Sequence, residues 1–433
     1  MIKQASAIAF LLSLVACTSA PAPVPSTLPV ASNDTPVTLT VWHAQTGVAE
    51  TTLNSLFVDF HKAYPTITVN AQNRASEGDL LRQGIAGMAM NQLPDVMIAS
   101  PRTIVEFAQK DVLVSLDGLV SDPALGFSES ERADFLPGLI DTARFSSLKN
   151  QLLAFPFDEH AIVLFYNADA LKTAKLAAPK TWDEFAQAAR TTTRGDAHGW
   201  VMSPDATAFY AMVSSRGGNV VNDNQTQVLF GENPGIQSLQ LIAALTKGDA
   251  AYLAPSSARA IADFAQGRAI FYLGTDDDLA PISEAMTAAQ STFSWGMTNV
   301  PQSDVSRLYT AVFGAQIALF KSTLERQRAA WLLTRWLALP EQTAHWARAT
   351  LAIPVRVSAF RLLVNPGTPN VLLQRLNDGL VSNIPTGRAS PNARDAAQID
   401  AAVVEMWIAV ANGTDPGTAL NRAVTRANRI LNP

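Results

Sequence analysis

Hydrophobic positions recur along the chain with two different spacings, one typical of strands and one typical of helices. Apolar residues alternate with threonines over 37–41, which predicts a half-buried strand, and recur at helical spacing over 53–64, which predicts a helix that Pro65 ends. The same two patterns predict further strands at 67–69, 95–99, 161–166, 269–273, 293–297 and 312–320, and further helices at 80–85, 324–339 and around 406–407. Because strands alternate with helices, we expect an α/β fold with mostly parallel sheets covered by helices on both faces.

A second series of strands and helices begins near residue 157. Thr181 and Glu184 have the spacing of a capping box, which predicts that a helix begins there. In open parallel sheets, ligands bind beyond the carboxyl ends of the strands. This rule places Trp42-His43, residues 73–77 and residues 100–102 at one rim of the first sheet.

Residues 1–16 are predicted to form a signal peptide. Lys3 precedes an apolar run that is too short to span a bilayer, and the run ends in Leu-Val-Ala-Cys at 14–17. This ending resembles the lipobox of bacterial lipoproteins, in which the cysteine thiol receives a diacylglyceryl group. Cys17 is the only cysteine of the chain, and two acyl chains are enough to anchor a protein to a membrane. The alternative is an ordinary signal peptide with a coincidental cysteine.

Residues 17–36 are predicted to be an extended tether, because prolines recur there among Ser, Thr and Ala. No later run of eighteen uninterrupted apolar residues is present, so no further membrane span is predicted. We therefore expect an extracytoplasmic protein that is anchored to the cell membrane by lipid.

Composition and charge argue against several classes of function. Hydrophobic residues make up 48% of the chain and charged residues 16%, so a large core can form. The 32 basic and 37 acidic residues form no long run of either sign, which argues against nucleic-acid binding. One cysteine excludes a disulfide scaffold, and the five histidines show no metal-ligand spacing. We expect no metal, no cofactor and a monomer.

Several short motifs follow one another in the order typical of a known family. They are Trp42-His43 after the first strand, 154–157 leading into 163–171, 179–185, Gly217-Gly218, 264–269, 330–336 with Pro340-Glu341, and 353–356. Across most of residues 37–430 this order resembles the extracellular solute-binding proteins of ATP-binding-cassette (ABC) importers, in the maltose- and glycerol-3-phosphate-binding family. Each motif alone is weak evidence for the family, whereas the ordered set is strong evidence.

The resemblance implies two α/β lobes joined by crossover strands, with a solute held in the cleft between them. Lobe 1 would comprise 37–154 and about 276–320, and lobe 2 would comprise 157–274 and about 321–433. Crossovers near 155–159 and 273–278 would form the hinge. The resemblance also implies a binding protein rather than an enzyme, which delivers a carbohydrate to the transmembrane subunits of an ABC permease.

Carboxylates, amides and aromatic rings suit the hydroxyls and apolar faces of a sugar. At the loops that face the ligand in the family, the candidates are His43, Glu77, Ser100 and Arg102, each with a surface role as the alternative. At the hinge, polar residues that interrupt an apolar stretch are candidates: Asp158, Glu159 and His160. Residues 276–278 lack EF-hand spacing, which argues against a metal site, and predict a solvated acidic hinge in which one aspartate accepts hydroxyls, with Asp276 and Asp277 as the candidates.

The remaining candidates depend on aromatic or family positions. Trp200 and Tyr210 are candidates for stacking, with core packing as the alternative, whereas Trp182, Trp331, Trp336 and Trp346 are assigned to helix packing. Phe313 and Gln316 lie where the family brings backbone amides to its ligand. Arg388 matches the phosphate-binding arginine of the glycerol-3-phosphate branch, but Asn73, Ser100 and Pro101 do not match that branch's loop residues. A sugar, an oligosaccharide or a polyol phosphate therefore stays open.

Two other functions compete with solute transport. A lipid-anchored glycoside hydrolase would need two carboxyl groups about 5–9.5 Å apart across a glycosidic bond, which sequence alone does not reveal. A surface sugar receptor would share the fold without a permease, and two neighbouring permease genes would argue against it.

Replacing Cys17 tests the predicted anchor. We expect the Cys17→Ser variant to lose the acyl-chain mass on its N-terminal peptide and to leave the membrane fraction, because serine offers no thiol for lipidation. Mass spectrometry and cell fractionation measure both effects, with Ser19→Ala as the control. A Cys17→Ser variant that stays in the membrane fraction would contradict the anchor.

Overall fold

Strands and helices alternate along the chain as the hydrophobic pattern predicts. The computed structural model describes residues 36–136, 138–145, 148–363, 370–380, 386–389 and 395–432. Cys17, the predicted signal peptide and all of the predicted tether except Pro36 lie outside these residues. No helix in the described ranges combines the length and the apolar character that a membrane crossing requires.

Twelve strands are labelled in chain order. They are β1 (Val37–His43), β2 (Ile67–Asn73), β3 (Val96–Ala99), β4 (Arg144–Phe145), β5 (Gln151–Leu152), β6 (Phe155–Asn167), β7 (His198–Met202), β8 (Ala251–Leu253), β9 (Ala269–Thr275), β10 (Trp295–Asn299), β11 (Tyr309–Leu319) and β12 (Thr386–Ala389).

The helices are labelled in the same way. They are α1 (Gly47–Ala63), α2 (Glu77–Ala89), α3 (Pro101–Ala108), α4 (Asp117–Val120), α5 (Glu129–Ala133), α6 (Leu139–Thr142), α7 (Ala168–Thr173), α8 (Trp182–Thr192), α9 (Ala206–Ser214), α10 (Asn233–Lys247), α11 (Ser257–Ala265), α12 (Leu279–Ala288), α13 (Leu324–Leu337), α14 (Pro340–Thr350), α15 (Val357–Leu363), α16 (Val371–Leu380), α17 (Ala396–Ala411) and α18 (Pro416–Leu431).

The sheet has a parallel group at each end and antiparallel strands between them. Its order is β2-β1-β3-β11-β6-β9-β7-β8, with β10 also paired to β6 and β12 to β11. Strand β1 is parallel to β2 and β3, and β7 is parallel to β8 and β9. The predicted α/β class with mostly parallel groups of strands is therefore confirmed.

The long strands β6 and β11 join the two parallel groups. Strand β6 pairs with β11 through its first half and with β9 through its second half, while β11 also pairs with β3. All three pairings are antiparallel, so the chain passes between the groups through these strands. The predicted crossover at 155–159 coincides with the start of β6, and the division of the chain into lobes stays a prediction.

Helices α13 and α14 pack with the first parallel group, although residues after about 320 were expected in lobe 2. Asp95, which precedes β3, accepts hydrogen bonds from Arg326 Nε on α13 at 2.6 Å and from the Thr40 backbone N–H of β1 at 2.7 Å. The Trp336 ring packs edge-on against Phe60 of α1, with centroids 5.7 Å apart. These contacts hold α13 beside β1.

A second hydrophobic cluster lies among α8, α9, α10, α17 and α18. Trp407 of α17 packs against Trp200 of β7 at 6.0 Å between ring centroids, and against Phe209 of α9 at 6.4 Å. The predicted capping box at the start of α8 is confirmed, with Thr181 and Glu184 each bonded to the other's backbone. Pro340 was predicted to end a helix. It is also the first residue of α14, because proline suits the first turn of a helix.

Gly314 allows β6 and β11 to approach each other at the centre of the sheet. Its φ of +145° lies in the region that favours glycine, and an added Cβ would lie 1.8 Å from the Asp158 carbonyl oxygen. The register between the two strands shifts immediately afterwards, between Ala315 and Gln316. A side chain at position 314 would therefore push Asp158 out of place.

We expect Gly314→Ala to lower the free energy of unfolding by more than about 3 kcal/mol, because the strain of the backbone and the clash with β6 add together. Gly195→Ala is the matched control: Gly195 also has positive φ, at +58°, but nothing lies within 4 Å of an added Cβ. The control should lose only about 1 kcal/mol. Urea unfolding compares the variants, and equal losses would contradict the close approach.

Candidate functional site

The polar residues predicted at the hinge meet around the imidazole of His160 on β6. Its Nδ1 lies 3.0 Å from Asp276 Oδ2 and 3.1 Å from Asp277 Oδ1, and its Nε2 lies 3.4 Å from Asp158 Oδ1. The Phe313 ring of β11 lies against the imidazole, with centroids 5.7 Å apart. We call His160, Asp158, Asp276 and Asp277 the histidine–carboxylate cluster.

Neighbouring side chains fix the orientation of Asp158. Gln45 Nε2, from the loop after β1, donates to Asp158 Oδ2 at 3.0 Å, and the Trp346 indole N–H of α14 donates to Oδ1 at 2.9 Å. Asn73, at the end of β2, donates to the Gln45 backbone carbonyl at 2.8 Å. Asp158 therefore links the loops of the first parallel group to the cluster.

Burial and charge set the protonation of the cluster. Burial alone would lower the pKa of His160, but the negative charge of Asp276 and hydrogen bonds to Asp158 and Asp276 raise it well above its usual value. Burial alone would raise the pKa of Asp158, but His160, Trp346 and Gln45 lower it. Burial, with the charges of Asp276 and Asp158, raises the pKa of Asp277 to about 6. At neutral pH the centre is an imidazolium ringed by carboxylates.

Residues 276–278 form a 3-10 turn in which Asp276 is buried and Asp277 is exposed, so the expectation of a solvated acidic hinge holds only for Asp277. Asp276 is fully buried and also accepts a hydrogen bond from the Ala161 backbone N–H at 2.7 Å. Asp278 accepts the Tyr272 hydroxyl at 3.0 Å and closes a capping box with Thr275. Only Asp277 keeps half of its side chain exposed, at 50%. It is the carboxylate of this turn that can meet a ligand.

Glu159 faces away from the cluster, because side chains alternate along a strand. Its side chain is 2% exposed, and burial together with the negative charge of Asp158 raises its pKa well above the usual range. Gln316 of β11 lies on the same face of the sheet, and its amide N–H donates to Thr142 Oγ1 at 3.2 Å. Glu159 and Gln316 were candidates for ligand contact, but both side chains are buried on the face of the sheet opposite the cluster.

The predicted rim residues form two separate pairs. Glu77, at the start of α2, accepts hydrogen bonds from the Ser100 backbone N–H at 2.8 Å and from its hydroxyl at 2.6 Å. Arg102 of α3 pairs with Asp400 of α17, and the Tyr210 hydroxyl of α9 donates to the same carboxylate at 2.8 Å. Asp400, which was not among the candidates from the sequence, thus brings Arg102 and Tyr210 together.

Two candidates are buried in the core. Trp200 is 1% exposed and packs edge-on against Phe185 and against Trp407, so the prediction that its ring stacks on a ligand is wrong. His43 is 1% exposed, its Nδ1 has no hydrogen-bond partner among the described residues, and burial lowers its pKa. The side chain that reaches the cluster from this loop is that of Gln45.

Arg388 of β12 lies at a different place from the cluster. Its guanidinium donates to the Gly218 carbonyl and, at 2.7 Å, to Asn219 Oδ1, and it stacks on the Tyr309 ring at 3.9 Å from the centroid. Its predicted contact with a ligand stays a prediction.

Three contributors to the site were not among the sequence candidates. Gln45 lies two residues after His43, so the position of its loop was an available signal. Trp346 was assigned to helix packing, although a buried indole N–H needs an acceptor. Asp400 gave no local signal, because its partners lie 190 and 298 residues away along the chain.

Removing the imidazolium tests the electrostatics of the cluster. The pKa of His160 is raised on folding, so its stabilisation is complete below about pH 6.5 and is lost only as the pH passes its raised value. At pH 7, we expect His160→Asn to lower the free energy of unfolding by about 3 kcal/mol, because buried carboxylates lose their cation.

In the variant, the buried carboxylates lack a cation, so they bind protons more tightly when folded than when unfolded. Their protonation between pH 7 and pH 5 therefore stabilises the variant, and the deficit should shrink over that range. Adding Asp276→Asn to His160→Asn should restore most of the lost free energy of unfolding. His198→Asn is the control, because His198 lies on β7, outside the cluster. Urea unfolding at both pH values measures this, and a deficit independent of pH would contradict the charged cluster.

Comparison with known proteins shows the family of this chain. A model of the family "Bacterial extracellular solute-binding protein" matches residues 55–365. The sn-glycerol-3-phosphate-binding periplasmic protein UgpB of Pectobacterium atrosepticum is 23% identical over 421 residues, covering 90% of each chain. These relatives are binding proteins.

Two solved structures share the fold. The sugar-binding protein MalE of Xanthomonas citri has a TM-score of 0.77 at 22% identity, covering 91% of this chain and 97% of its own. The cyclic alpha-maltosyl-1,6-maltose binding protein of Arthrobacter globiformis has a TM-score of 0.74 at 19% identity, covering 92% and 99%. These likenesses confirm the predicted two-lobed periplasmic-binding-protein-like fold. With the family model matching well over half of its length, the chain belongs to the bacterial extracellular solute-binding proteins.

Proposed function

We propose that this protein is the extracytoplasmic solute-binding lipoprotein of an ABC importer, and that it captures a carbohydrate at the histidine–carboxylate cluster. The observation that carries the proposal is the half-exposed carboxylate of Asp277 beside the buried His160 imidazolium, at the strands that join the two parallel groups. Carboxylates held in this way are strong acceptors for sugar hydroxyls. The relatives named above support the same class of solute.

The charge of the cluster favours a neutral saccharide over a polyol phosphate. His160 supplies one positive charge against the carboxylates of Asp158, Asp276 and Asp277. A phosphate placed there would meet like charges in a desolvated setting, which costs binding free energy. Among the solutes left open by the sequence, sugars and oligosaccharides therefore fit this centre best.

Capture would proceed by closure of the two lobes about β6 and β11. A solute that contacts both lobes only in the closed form shifts the population towards that form, and the closed form presents a new surface to the permease. Lipid on Cys17 and the proline-rich tether would hold the protein near that permease. We propose a monomer that releases the solute unchanged.

One observation favours a glycoside hydrolase as the second candidate. The pKa of Asp277, raised to about 6, suits a general acid. The other two carboxylates near His160 already have hydrogen-bond donors: Asp158 accepts from Gln45 and Trp346, and Asp276 accepts from the Ala161 backbone N–H. A carboxylate with its hydrogen bonds occupied is a poor nucleophile or base, which favours binding over hydrolysis.

Calorimetry and thermal-shift titration with glucose, maltose, maltotriose and glycerol-3-phosphate test the proposal on the purified chain. We expect saturable stabilisation by a neutral saccharide, and X-ray scattering should show compaction. Asp277→Ala should weaken binding at least about tenfold, because it removes a charged hydrogen-bond acceptor.

Asp59→Ala is the matched control, since Asp59 is a partly exposed aspartate of α1 paired only with Lys62 in the described residues. If no saccharide, polyol or polyol phosphate stabilises the protein, the class of solute is wrong. Turnover of an oligosaccharide that is lost in Asp277→Ala would favour the hydrolase instead.

A further inference from the structure

An ion pair joins two helices that belong to different hydrophobic clusters. Ile104 of α3 packs in the first hydrophobic cluster, which surrounds β1 and β3, whereas Ile399 of α17 packs in the second. Arg102, near the start of α3, pairs through its guanidinium with the carboxylate of Asp400 on α17. The pair therefore connects the two clusters through side chains, in addition to the connection through β6 and β11.

An arginine pair within one cluster gives the comparison. Arg426 of α18 pairs with Glu405 of α17 at 2.6 Å, and both helices pack in the second hydrophobic cluster. A movement of one cluster relative to the other leaves that pair intact. The same movement pulls Arg102 away from Asp400, so this pair senses the relative position of the two clusters.

Tyr210 of α9 holds Asp400 in place on the side of the second cluster. Tyr210 is 0% exposed, and its hydroxyl donates to Asp400 Oδ1 at 2.8 Å, which leaves Oδ2 for Arg102. Burial and the negative charge of Asp400 raise the pKa of Tyr210 well above its usual value, so the hydroxyl keeps its proton and stays a donor. A carboxylate that is already oriented loses less conformational freedom when Arg102 pairs with it.

The pair lies at a depth that dissolved salt reaches. The Arg102 side chain is 37% exposed and the Asp400 side chain 23%. Ions screen such a pair more strongly than a buried one, and breaking it costs little because water can solvate both charges. It differs in this from the pair of His160 with Asp276, whose carboxylate is fully buried. The Arg102 pair is thus suited to form and break as the molecule moves.

We infer that Arg102, Asp400 and Tyr210 form an ionic latch, which stabilises the closed arrangement of the two lobes and makes closure depend on ionic strength. At low ionic strength the latch favours the closed form before a solute binds, and at high ionic strength screening weakens it. Overall affinity includes the free energy of closing the lobes, so the latch also strengthens the binding of an uncharged saccharide. The statement on affinity rests on the proposed function, whereas the statement on closure does not.

Small-angle X-ray scattering of the purified full chain without solute tests closure, in sodium chloride from about 20 mM to about 500 mM. We expect the radius of gyration of the unaltered chain to increase with salt. Arg102→Gln should be expanded already at low salt and should respond little to salt, because its latch is absent. Tyr210→Phe, which keeps the buried ring, should show a smaller expansion in the same direction.

Arg426→Gln is the matched control for scattering. It removes the same charge from a pair that lies within the second hydrophobic cluster. Its radius of gyration and its response to salt should equal those of the unaltered chain.

Calorimetric titration with maltose and maltotriose over the same salt range tests affinity. We expect the unaltered chain to bind more weakly as salt rises, although these ligands carry no charge. At low salt, Arg102→Gln should bind about three- to fivefold more weakly and should lose the dependence on salt. The double variant with Arg102→Asp and Asp400→Arg restores an ion pair, so it should regain most of the affinity and the dependence on salt.

Each arm has a result that decides against the latch. An Arg102→Gln chain that scatters like the unaltered chain at every salt concentration would overturn the inference. A loss of affinity that the charge exchange does not restore would also overturn it, because that result assigns Arg102 to direct contact with the solute. If neither saccharide binds the unaltered chain, the proposed function fails, while scattering still decides whether the latch exists.

Discussion

The ion pairs between the buried imidazolium of His160 and its carboxylates are the constraint on which the centre of the molecule depends. Asp158 and His160 lie on one strand, while Asp276 and Asp277 lie on the turn that follows β9. A buried carboxylate without a cation is costly, so the strand and the turn must stay together. The same arrangement leaves half of the Asp277 side chain exposed. This carboxylate can therefore pair with His160 and still be reached from solvent.

Strands β6 and β11 combine a mechanical and a chemical role. They are the strands through which the two parallel groups of the sheet are connected, and they carry His160, Phe313 and the close approach at Gly314. A ligand bound at the proposed site would therefore contact the strands that connect the two groups. The pairing of Arg102 with Asp400 gives a further link between α3 and α17.

The sequence by itself determined the alternation of strands and helices, the capping box at Thr181 and the polar interruption at 158–160, because these depend on local periodicity and short-range hydrogen bonds. The ordered motifs were enough to predict the two-lobed fold. Only the tertiary structure decided which polar residues meet. Glu159 and Trp200 are buried by the pleat and by packing against distant helices, and Asp400 reaches Arg102 across 298 residues. Such contacts depend on how remote segments pack, which no local pattern encodes.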